Sequence, residues 1–357
     1  MISVMILGNC CIINHLYDLK KQILLIRMYL GPFSSKPEIL MDSVIHQKRL
    51  IDYKIRKQVL SFPSCFQIQT INCCNGHCLM CPKQQKTEDT GEVMSKTLFL
   101  KILKEIVEEN ISHTLIHFYL QNEPFMDHDI LQKIRLTKEL SKNKIHIELV
   151  TNGTFLSEKV IKELRDITID IFVISVDAYT KITYEKIRRG LDFSLVLNNI
   201  NNLIKQDYRG NIYIGFVEQK DNFAEQQEFK KYWRNVARRS KKNIYPYITQ
   251  LSNRSGDLNF FDRITIKNNY VKQIHTKFMH KLIPCSVPFL DFNILANGDV
   301  ILCCNDYYKK TILGNVSSSS IKEIWNSPKY NHIRHLLINQ KFHSLPVCKN
   351  CSHFSYS

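Results

Sequence analysis

Three closely spaced cysteines constrain this chain more than any other feature of its sequence. Cys74, Cys78 and Cys81 are separated by three and then two residues, in the run Cys74-Asn75-Gly76-His77-Cys78-Leu79-Met80-Cys81. Thiolates are soft ligands that suit iron–sulfur clusters. A [4Fe–4S] cluster has four irons, so three cysteines would leave one iron open. A structural zinc site normally has four protein ligands, and His77 inside the loop could be the fourth, so zinc is an alternative.

Length and cysteine usage indicate the general class of protein. The chain has 357 residues with 44% hydrophobic content, enough for one large domain and a smaller one. Its 12 cysteines would suggest disulfides in a secreted protein. Residues 1–12 lack a basic segment, however, and the apolar run Ile23 to Leu30 is broken by Arg27. We therefore expect a cytoplasmic protein with no signal peptide and no membrane span.

The formal net charge of +16 is compatible with binding to nucleic acid, an anionic surface or an acidic substrate. Lys, Asn and Ile are all abundant, and this favours a general compositional bias instead. The densest basic run is Arg238-Arg239-Ser240-Lys241-Lys242. We interpret it as the solvated end of a helix, so nucleic acid is not an expected partner.

The central region alternates between apolar runs and helical periodicity, which predicts an α/β fold with a parallel sheet. Near-continuous apolar character is typical of strands that are covered on both faces. The predicted strands are Phe66–Ile71, Leu115–Leu120, Ile145–Val150, Ile171–Val176 and Ile212–Val217. The predicted helices begin after Ser95 and also cover Ile130–Leu140, Glu158–Leu164, Leu195–Lys205 and Glu225–Arg239.

The cysteine loop resembles the signature of the radical S-adenosylmethionine (SAM) family, in which the open iron binds the amino and carboxylate groups of SAM. Gln121-Asn122-Glu123-Pro124 after the second strand resembles that family's Gly-Gly-Glu-Pro motif, with both glycines replaced. The resemblance implies a partial (β/α)6 TIM-like barrel, in which chemistry gathers at the carboxyl ends of the strands. It also implies that SAM is contacted by residues at those ends and in the following loops: Glu123, Asn152, Ser175 and Arg188.

A second set of cysteines lies near the C-terminus: Cys285, the pair Cys303-Cys304, Cys348 and Cys351. Between them, Ala296-Asn297-Gly298 predicts a β-hairpin, and Ile321 to Leu337 predicts a helix. The set resembles the SPASM or "twitch" module of radical SAM enzymes, a small α+β domain that binds an auxiliary [4Fe–4S] cluster. The resemblance implies the ligands Cys285, Cys303, Cys348 and Cys351, with Cys303 preferred over Cys304. A zinc ribbon is the alternative, since four cysteines also satisfy zinc.

These features predict four segments. Residues 1–61 form an N-terminal extension of unknown role, 62–250 the radical SAM core, 251–284 a linker and 285–357 the SPASM/twitch domain. Residues Cys65 and Cys73 are set aside as thiols that are not ligands.

The resemblance implies an enzyme with two [4Fe–4S] clusters and SAM, in which a 5′-deoxyadenosyl radical removes a hydrogen atom from the substrate. We expect oxidation of a small molecule such as a sugar or cyclitol, with a reducing donor such as flavodoxin or ferredoxin. No residue is assigned to catalysis on the substrate. Modification of a peptide or protein, or epimerisation, is the alternative. A more distant one is a zinc-scaffolded protein that binds nucleic acid.

Overall fold

The structure is a computed structural model that describes residues 59–85, 89–111, 113–167, 169–206, 208, 210–258, 261–266 and 285–351. The predicted N-terminal extension, apart from its last three residues, and residues 267–284 of the predicted linker lie outside this range. The described residues from Leu60 onward belong to one compact unit. Among the helices described, none is both long enough and apolar enough to cross a membrane.

Strands and helices alternate through most of the described chain. The strands are β1 (Cys65–Ile68), β2 (Leu115–His117), β3 (His146–Thr151), β4 (Ile171–Ser175), β5 (Ile212–Glu218), β6 (Ile244–Gln250), β7 (Asp291–Ile294), β8 (Asp299–Ile301) and β9 (Ile312–Asn315). The α-helices are α1 (Lys96–Glu109), α2 (Ile130–Leu140), α3 (Glu158–Leu164), α4 (Lys181–Ile187), α5 (Phe193–Lys205), α6 (Gln226–Ser240), α7 (Phe261–Ile264), α8 (Val287–Leu290), α9 (Ile321–Trp325) and α10 (Pro328–Ile338).

All nine strands join one sheet in the order β6-β5-β4-β3-β2-β1-β7-β8-β9, in which β1 to β6 are parallel. Strands β1 to β5 each have a fully buried apolar residue near their centre: Phe66, Ile116, Ile147, Phe172 and Ile214. Parallel strands joined by helical crossovers bring their carboxyl ends to the same edge. The predicted α/β class and partial barrel are confirmed. The barrel is open in the described sheet, because β6, which lies next to β5, and β7, which lies next to β1, do not pair with each other.

Helix α1 begins where the sequence predicts, because Ser95 accepts a hydrogen bond from the backbone N–H of Leu98 through its hydroxyl. Helix α6 ends in the basic run, where Lys241 takes a left-handed conformation with φ 55°. The side chains of Arg238, Arg239 and Lys241 are exposed. The interpretation of this run as a solvated helix end is therefore confirmed.

Strand β6 is not among the strands that the sequence pattern predicts. Its sequence, Ile244-Tyr245-Pro246-Tyr247-Ile248-Thr249-Gln250, contains a proline, which cannot donate a hydrogen bond to a neighbouring strand. Strand β6 lies at the end of the described sheet and pairs only with β5 there. Pro246 is tolerated because a strand at the edge has one side with no ladder to complete.

The predicted hairpin is confirmed, since β7 and β8 pair antiparallel across Ala296-Asn297-Gly298. Gly298 has φ 89°, and a Cβ on it would lie 2.8 Å from Oδ1 of Asn315, so the turn requires glycine. Strand β7 also pairs in parallel with β1. The strands of the C-terminal module therefore extend the central sheet.

The prediction of one helix from Ile321 to Leu337 is wrong, because the segment forms the two helices α9 and α10. Asn326 ends the first helix, and the hydroxyl of Ser327 caps the second by accepting from the N–H of Tyr330. Pro328 follows as the first residue of α10, a position that its ring favours. A proline disfavours helical conformation in the residue before it, and this separates the two helices.

Arg334 of α10 is fully buried and holds the C-terminal helices together. It donates hydrogen bonds to the carbonyl oxygens of Pro288 and Trp325, at 2.8 and 2.7 Å. Its guanidinium also lies 4.0 Å from the ring centroids of both Trp325 and Tyr330.

We expect Arg334→Met to lower the free energy of unfolding by about 2–4 kcal/mol, because two buried carbonyls lose charged donors. Urea unfolding followed by circular dichroism measures this change. Arg238→Met on the exposed end of α6 is the control and should change the value by under about 0.5 kcal/mol. Equal effects of the two substitutions would contradict the structural role of Arg334.

Candidate metal and cofactor site

The cysteine loop follows β1 and is fixed by main-chain hydrogen bonds to the end of α4. The N–H of His77 donates to the carbonyl of Arg189, and the N–H of Leu79 donates to that of Ile187, both at 2.8 Å. The side chain of His77, the alternative zinc ligand, is exposed. Main-chain hydrogen bonds therefore hold the loop against the end of α4.

The three thiols of the loop lie close to one another. Burial raises the pKa of Cys74 to about 12, with smaller contributions from Cys78 and Cys81. Burial likewise raises the pKa of Cys78 to about 11, although the charge of Arg188 acts in the opposite direction. Metal binding must displace these protons, since thiolate is the ligand form.

The donor set fits an iron–sulfur cluster better than a single ion. Among the residues that the structure describes, no three Cys, His, Asp or Glu side chains converge tightly enough to enclose one metal ion. A cubane distributes its cysteine ligands over different irons, so its thiolates are spaced more widely than those around one zinc. Three neighbouring thiols without a converging fourth donor match the open-iron arrangement.

Glu123 ties the cysteine loop to the ends of β2 and β3. Its carboxylate is 2% exposed and accepts hydrogen bonds from the Thr151 hydroxyl at 2.6 Å and the Asn152 N–H at 2.7 Å. It also accepts from the N–H of Phe125, while its own N–H donates to the carbonyl of Cys73. Burial raises the pKa of Glu123 to about 6 despite these donors. Glu123 thus positions the surrounding backbone.

Two other predicted SAM contacts lie at the same edge of the sheet. The side-chain amide of Asn152 donates to Oδ1 of Asn75 in the cysteine loop, at 2.8 Å. Ser175 is half-buried at the end of β4, opposite Gly215 of β5. A Cβ on Gly215 would lie 2.9 Å from the hydroxyl of Tyr247. Glycine here therefore leaves room for that ring beside the strand end.

Arg188 lies in a buried ion pair. Its Nε and Nη2 contact Oδ2 of Asp177 at 2.8 and 2.6 Å, and its Nη1 lies 3.9 Å from Sγ of Cys78. Asp177 is fully buried with φ 62°, and its Oδ1 accepts from the N–H of Val217. Burial acts to lower the pKa of Arg188, but the charge of Asp177 outweighs this effect and raises it. The pairing fixes a positive charge beside a cysteine of the loop.

We expect Asp177→Asn to lower the free energy of unfolding by about 3–5 kcal/mol, because the change leaves the Arg188 charge buried without its partner. Chemical unfolding monitored by tryptophan fluorescence measures this. Glu158→Gln is the matched control, since it removes an exposed carboxylate that pairs with Lys162 at 3.3 Å. The control should cost under about 0.5 kcal/mol. A loss for Asp177→Asn as small as that of the control would show that the ion pair is not structurally important.

The four C-terminal cysteines predicted as ligands lie near one another. Cys348 and Cys351 are buried in one turn, with the N–H of Cys351 donating to the carbonyl of Cys348 at 3.1 Å. Both contribute to the raised pKa of Cys285, after burial, which is the largest cause. Cys285 in turn contributes to the raised pKa of Cys303. The fold thus gathers thiols from the segment just before α8, the loop after β8 and the final turn.

The adjacent thiols of Cys303 and Cys304 differ in their surroundings. The pKa of Cys303 is raised, first by its hydrogen bond with Cys304 and then by burial. The same hydrogen bond lowers the pKa of Cys304 to about 7, with a further contribution from Arg254. Cys304 packs beside Leu120, Leu295 and Ile301. Cys303 interacts electrostatically with the predicted ligand Cys285, whereas the main influences on Cys304 are Cys303, burial and Arg254.

Two residues between the cysteine groups were not predicted from sequence. The hydroxyl of Tyr307 lies 3.9 Å from Sγ of Cys81. Burial acts to lower the pKa of Arg254, but Tyr307 and then the thiols of Cys81, Cys304 and Cys303 outweigh it and raise that pKa. No local pattern marks either residue, because Tyr307 and Cys81 are 226 positions apart in the chain.

Two family models match the chain. The radical SAM superfamily model matches residues 68–229, and the SPASM iron–sulfur cluster-binding domain model matches residues 285–352. The first range contains Cys74, Cys78 and Cys81, and the second contains the four C-terminal cysteines predicted as ligands. The two models match the parts of the chain in which the structure gathers its thiols.

Curated relatives match most of the chain. The cofactor-modifying protein of tungsten-containing aldehyde ferredoxin oxidoreductase from Pyrococcus furiosus is 26% identical over 312 residues, which cover 78% of this chain and 84% of the relative. The S-adenosyl-L-methionine-dependent 2-deoxy-scyllo-inosamine dehydrogenase from Niallia circulans is 22% identical over 294 residues, covering 82% and 94%.

Solved structures share the fold. BtrN in complex with AdoMet and 2-DOIA has a TM-score of 0.56 at 19% identity, covering 81% of this chain and 92% of that one. SuiB from Streptococcus suis bound to the precursor peptide SuiA has a TM-score of 0.60 at 16% identity, covering 84% and 72%. With the matching models and the gathered thiols, these similarities lead to one conclusion. The chain belongs to the radical SAM superfamily of enzymes, which use a [4Fe–4S] cluster and SAM, and it carries a C-terminal SPASM iron–sulfur domain.

Proposed function

We propose that this enzyme oxidises an alcohol group of a small polyhydroxylated molecule, such as a sugar or cyclitol, to a carbonyl. One observation carries the proposal: a group of three thiols and a group of four lie in one compact unit, with Tyr307 and Arg254 between them. Three thiols leave an open iron for SAM, and four thiols would leave none. The two groups are therefore suited to different tasks.

The first group, Cys74, Cys78 and Cys81, is proposed to bind the cluster that holds SAM. When bound, the cluster and SAM supply a 5′-deoxyadenosyl radical that removes a hydrogen atom from the substrate. Glu123, Asn152 and Ser175 would line the SAM site at the ends of β2, β3 and β4. Arg188 would offer positive charge to the SAM carboxylate and to the cluster thiolates, since Asp177 fixes its guanidinium beside Cys78.

The second group, Cys285, Cys303, Cys348 and Cys351, is proposed to bind the auxiliary [4Fe–4S] cluster. Loss of a hydrogen atom leaves a substrate radical that must lose one more electron and one proton to become a carbonyl. A cluster with all four irons bound to protein thiolates has no open site for the substrate. We therefore propose that it accepts the electron.

Two similarities bear on the substrate. The relative from Niallia circulans, by its name, oxidises a cyclitol amine, and this chain covers 94% of its length. This favours a small polyol. The similarity in fold to SuiB bound to its precursor peptide favours peptide modification as the second candidate. Membership of the radical SAM superfamily replaces the zinc-scaffolded alternative. A flavodoxin or ferredoxin in the cytoplasm is proposed as the source of the first electron.

The substrate class can be tested with 2-deoxy-scyllo-inosamine deuterated at its carbinol carbons. The reconstituted enzyme, incubated anaerobically with dithionite and SAM, should release deuterated 5′-deoxyadenosine together with a ketone. Solvent hydrogen incorporated at the abstracted carbon, without ketone, would indicate epimerisation. Unlabelled 5′-deoxyadenosine and unchanged polyol would contradict the proposal and favour the peptide alternative.

A further inference from the structure

A group of polar residues lies within the central sheet, apart from both sets of cysteines predicted as ligands. This interior polar group consists of Cys65 on β1, His117 on β2, Tyr119 just after β2, Glu148 on β3 and Asp291 on β7. His117 and Glu148 are direct neighbours in the register of β2 and β3, and Cys65 and Asp291 in that of β1 and β7. Pleating places such neighbours on the same face of the sheet.

That face is the one opposite the helices. Ile116 and Ile147, which flank the polar positions, are fully buried on the other face. Two residues after Ile116, Phe118 packs against Phe99 of α1 at a centroid distance of 6.1 Å. The side chains of His117 and Glu148 therefore point away from the helix layer. Their side chains remain 12% and 17% exposed.

The interior polar group is connected by short contacts centred on Glu148. Nδ1 of His117 lies 2.9 Å from Oε2 of Glu148, and the Tyr119 hydroxyl donates to Oε1 at 3.0 Å. Nε2 of His117 lies 3.0 Å from Sγ of Cys65. Glu148 is thus held by two partners, and His117 is held on its other side by the thiol.

The protonation of the group is set by its own members. Burial acts to lower the pKa of His117, but Glu148 outweighs it and the pKa lies above its ordinary value. Burial, followed by the charge of Asp291, raises the pKa of Cys65. A raised pKa favours the thiol over the thiolate form of Cys65, and thiols are weaker nucleophiles than thiolates. Burial also raises the pKa of Asp291 to about 6.

Groups on more distant strands of the sheet also interact electrostatically with Glu148. The charge of Glu148 contributes, after burial, to the raised pKa values of Tyr213 on β5 and Tyr247 on β6. The thiol of Cys304 acts on the pKa values of His117 and Tyr119 in the same way. Of these hydroxyls, that of Tyr119 is in hydrogen-bond contact with Glu148, while Tyr213, Tyr247 and Cys304 act on the group through electrostatics.

We propose that Glu148 is the proton acceptor of the oxidation, with His117 and Tyr119 as residues that position its carboxylate. This inference rests on the proposed function. After the carbinol carbon has lost its hydrogen atom, the O–H bond of the radical breaks. The proton passes to a Glu148 oxygen, and one electron passes to the one-electron acceptor at the C-terminal cysteines. The C–O bond then becomes a double bond. Counting the hydrogen atom as one proton and one electron, the alcohol has lost two protons and two electrons in all.

Glu148→Gln tests the role of Glu148, since glutamine keeps the shape of the side chain but is not a base. With deuterated 2-deoxy-scyllo-inosamine, deuterium should still appear in 5′-deoxyadenosine, while ketone should fall by about 10²–10⁴-fold. Glu158→Gln on α3 should leave both unchanged. Normal ketone yield from Glu148→Gln would overturn the inference alone. No deuterium transfer in the wild type would contradict the proposed function and remove the premise of this inference.

A second measurement does not depend on turnover. In protein labelled with ¹⁵N-histidine, the His117 signal, identified by its loss in His117→Gln, should titrate with a pKa above the usual value of about 6.5. In Glu148→Gln this pKa should fall, because the carboxylate that stabilises the imidazolium is gone. An unchanged His117 titration in Glu148→Gln would show that the two side chains are not paired and would overturn the proposed arrangement.

Discussion

Replacing Cys74, Cys78 and Cys81 together with alanine is expected to lower the iron content from about eight to about four atoms per chain, taking each site as one [4Fe–4S] cluster. The two sets of thiols come from different parts of the chain, and the loop is fixed by backbone hydrogen bonds from His77 and Leu79. Loss of its thiols should therefore leave the C-terminal set intact. Iron analysis and absorbance of anaerobically reconstituted protein measure the change.

Cys73→Ala provides the control, because Cys73 adjoins the loop and contributes its carbonyl oxygen to the N–H of Glu123. An alanine keeps that carbonyl, so about eight irons should remain. Complete loss of iron from the triple variant would contradict independent sites. Zinc in place of iron in the wild type would contradict the cluster assignment itself.

Cys348→Ala is expected to reduce the yield of oxidised product at least tenfold, which corresponds to an increase of roughly 1.4 kcal/mol or more in the activation free energy. Release of 5′-deoxyadenosine should continue. Cys348 is buried and lies in the turn that also carries Cys351, so its loss would open the auxiliary site. Without a filled site, the substrate radical has no nearby acceptor for its electron. Product and 5′-deoxyadenosine are measured by chromatography in the same reaction.

Lys349→Ala is the matched control, because Lys349 is the exposed neighbour of Cys348. It should leave the yields of oxidised product and of 5′-deoxyadenosine unchanged. Near-ultraviolet circular dichroism establishes whether the Cys348→Ala protein is folded. Full product yield from a folded Cys348→Ala protein with only about four irons would contradict the electron-acceptor role. The auxiliary cluster would then be a structural element of the C-terminal module.

The sequence predicts features that depend on neighbouring residues, such as helix bounds, the cysteine loop and the hairpin. The ends of α2 and α3 agree with the predicted bounds, because both helices have clear apolar periodicity. The cysteine loop was recognised because its three thiols fall within eight consecutive residues. The hairpin at Gly298 was recognised because its left-handed conformation favours a specific residue type.

The errors have equally specific causes. The edge strand β6 is not predicted, and it contains Pro246, a residue that normally argues against a strand. Ser327 followed by Pro328 is the local signal that divides α9 from α10, and it outweighs the apolar periodicity that continues across both helices. In both cases a proline acted through its position in the fold.

Long-range partners could not be predicted from one sequence. The sequence predicts a SAM contact for Arg188 but not its buried ion pair with Asp177. The pair depends on the left-handed conformation of Asp177, which no local pattern specifies. Glu148 is a charged residue within an apolar strand, and that alone was a usable signal. Its partner His117 became apparent only from strand register.

The most direct test of the central claim is the release of 5′-deoxyadenosine from SAM by the reconstituted protein under anaerobic conditions with dithionite. The wild type should release it, because three thiolates leave one iron open to SAM. Cys78→Ala should release none above background, while Cys73→Ala should match the wild type. Equal release from the wild type and Cys78→Ala, or no release from either, would contradict the assignment of Cys74, Cys78 and Cys81 as the SAM-cleaving site.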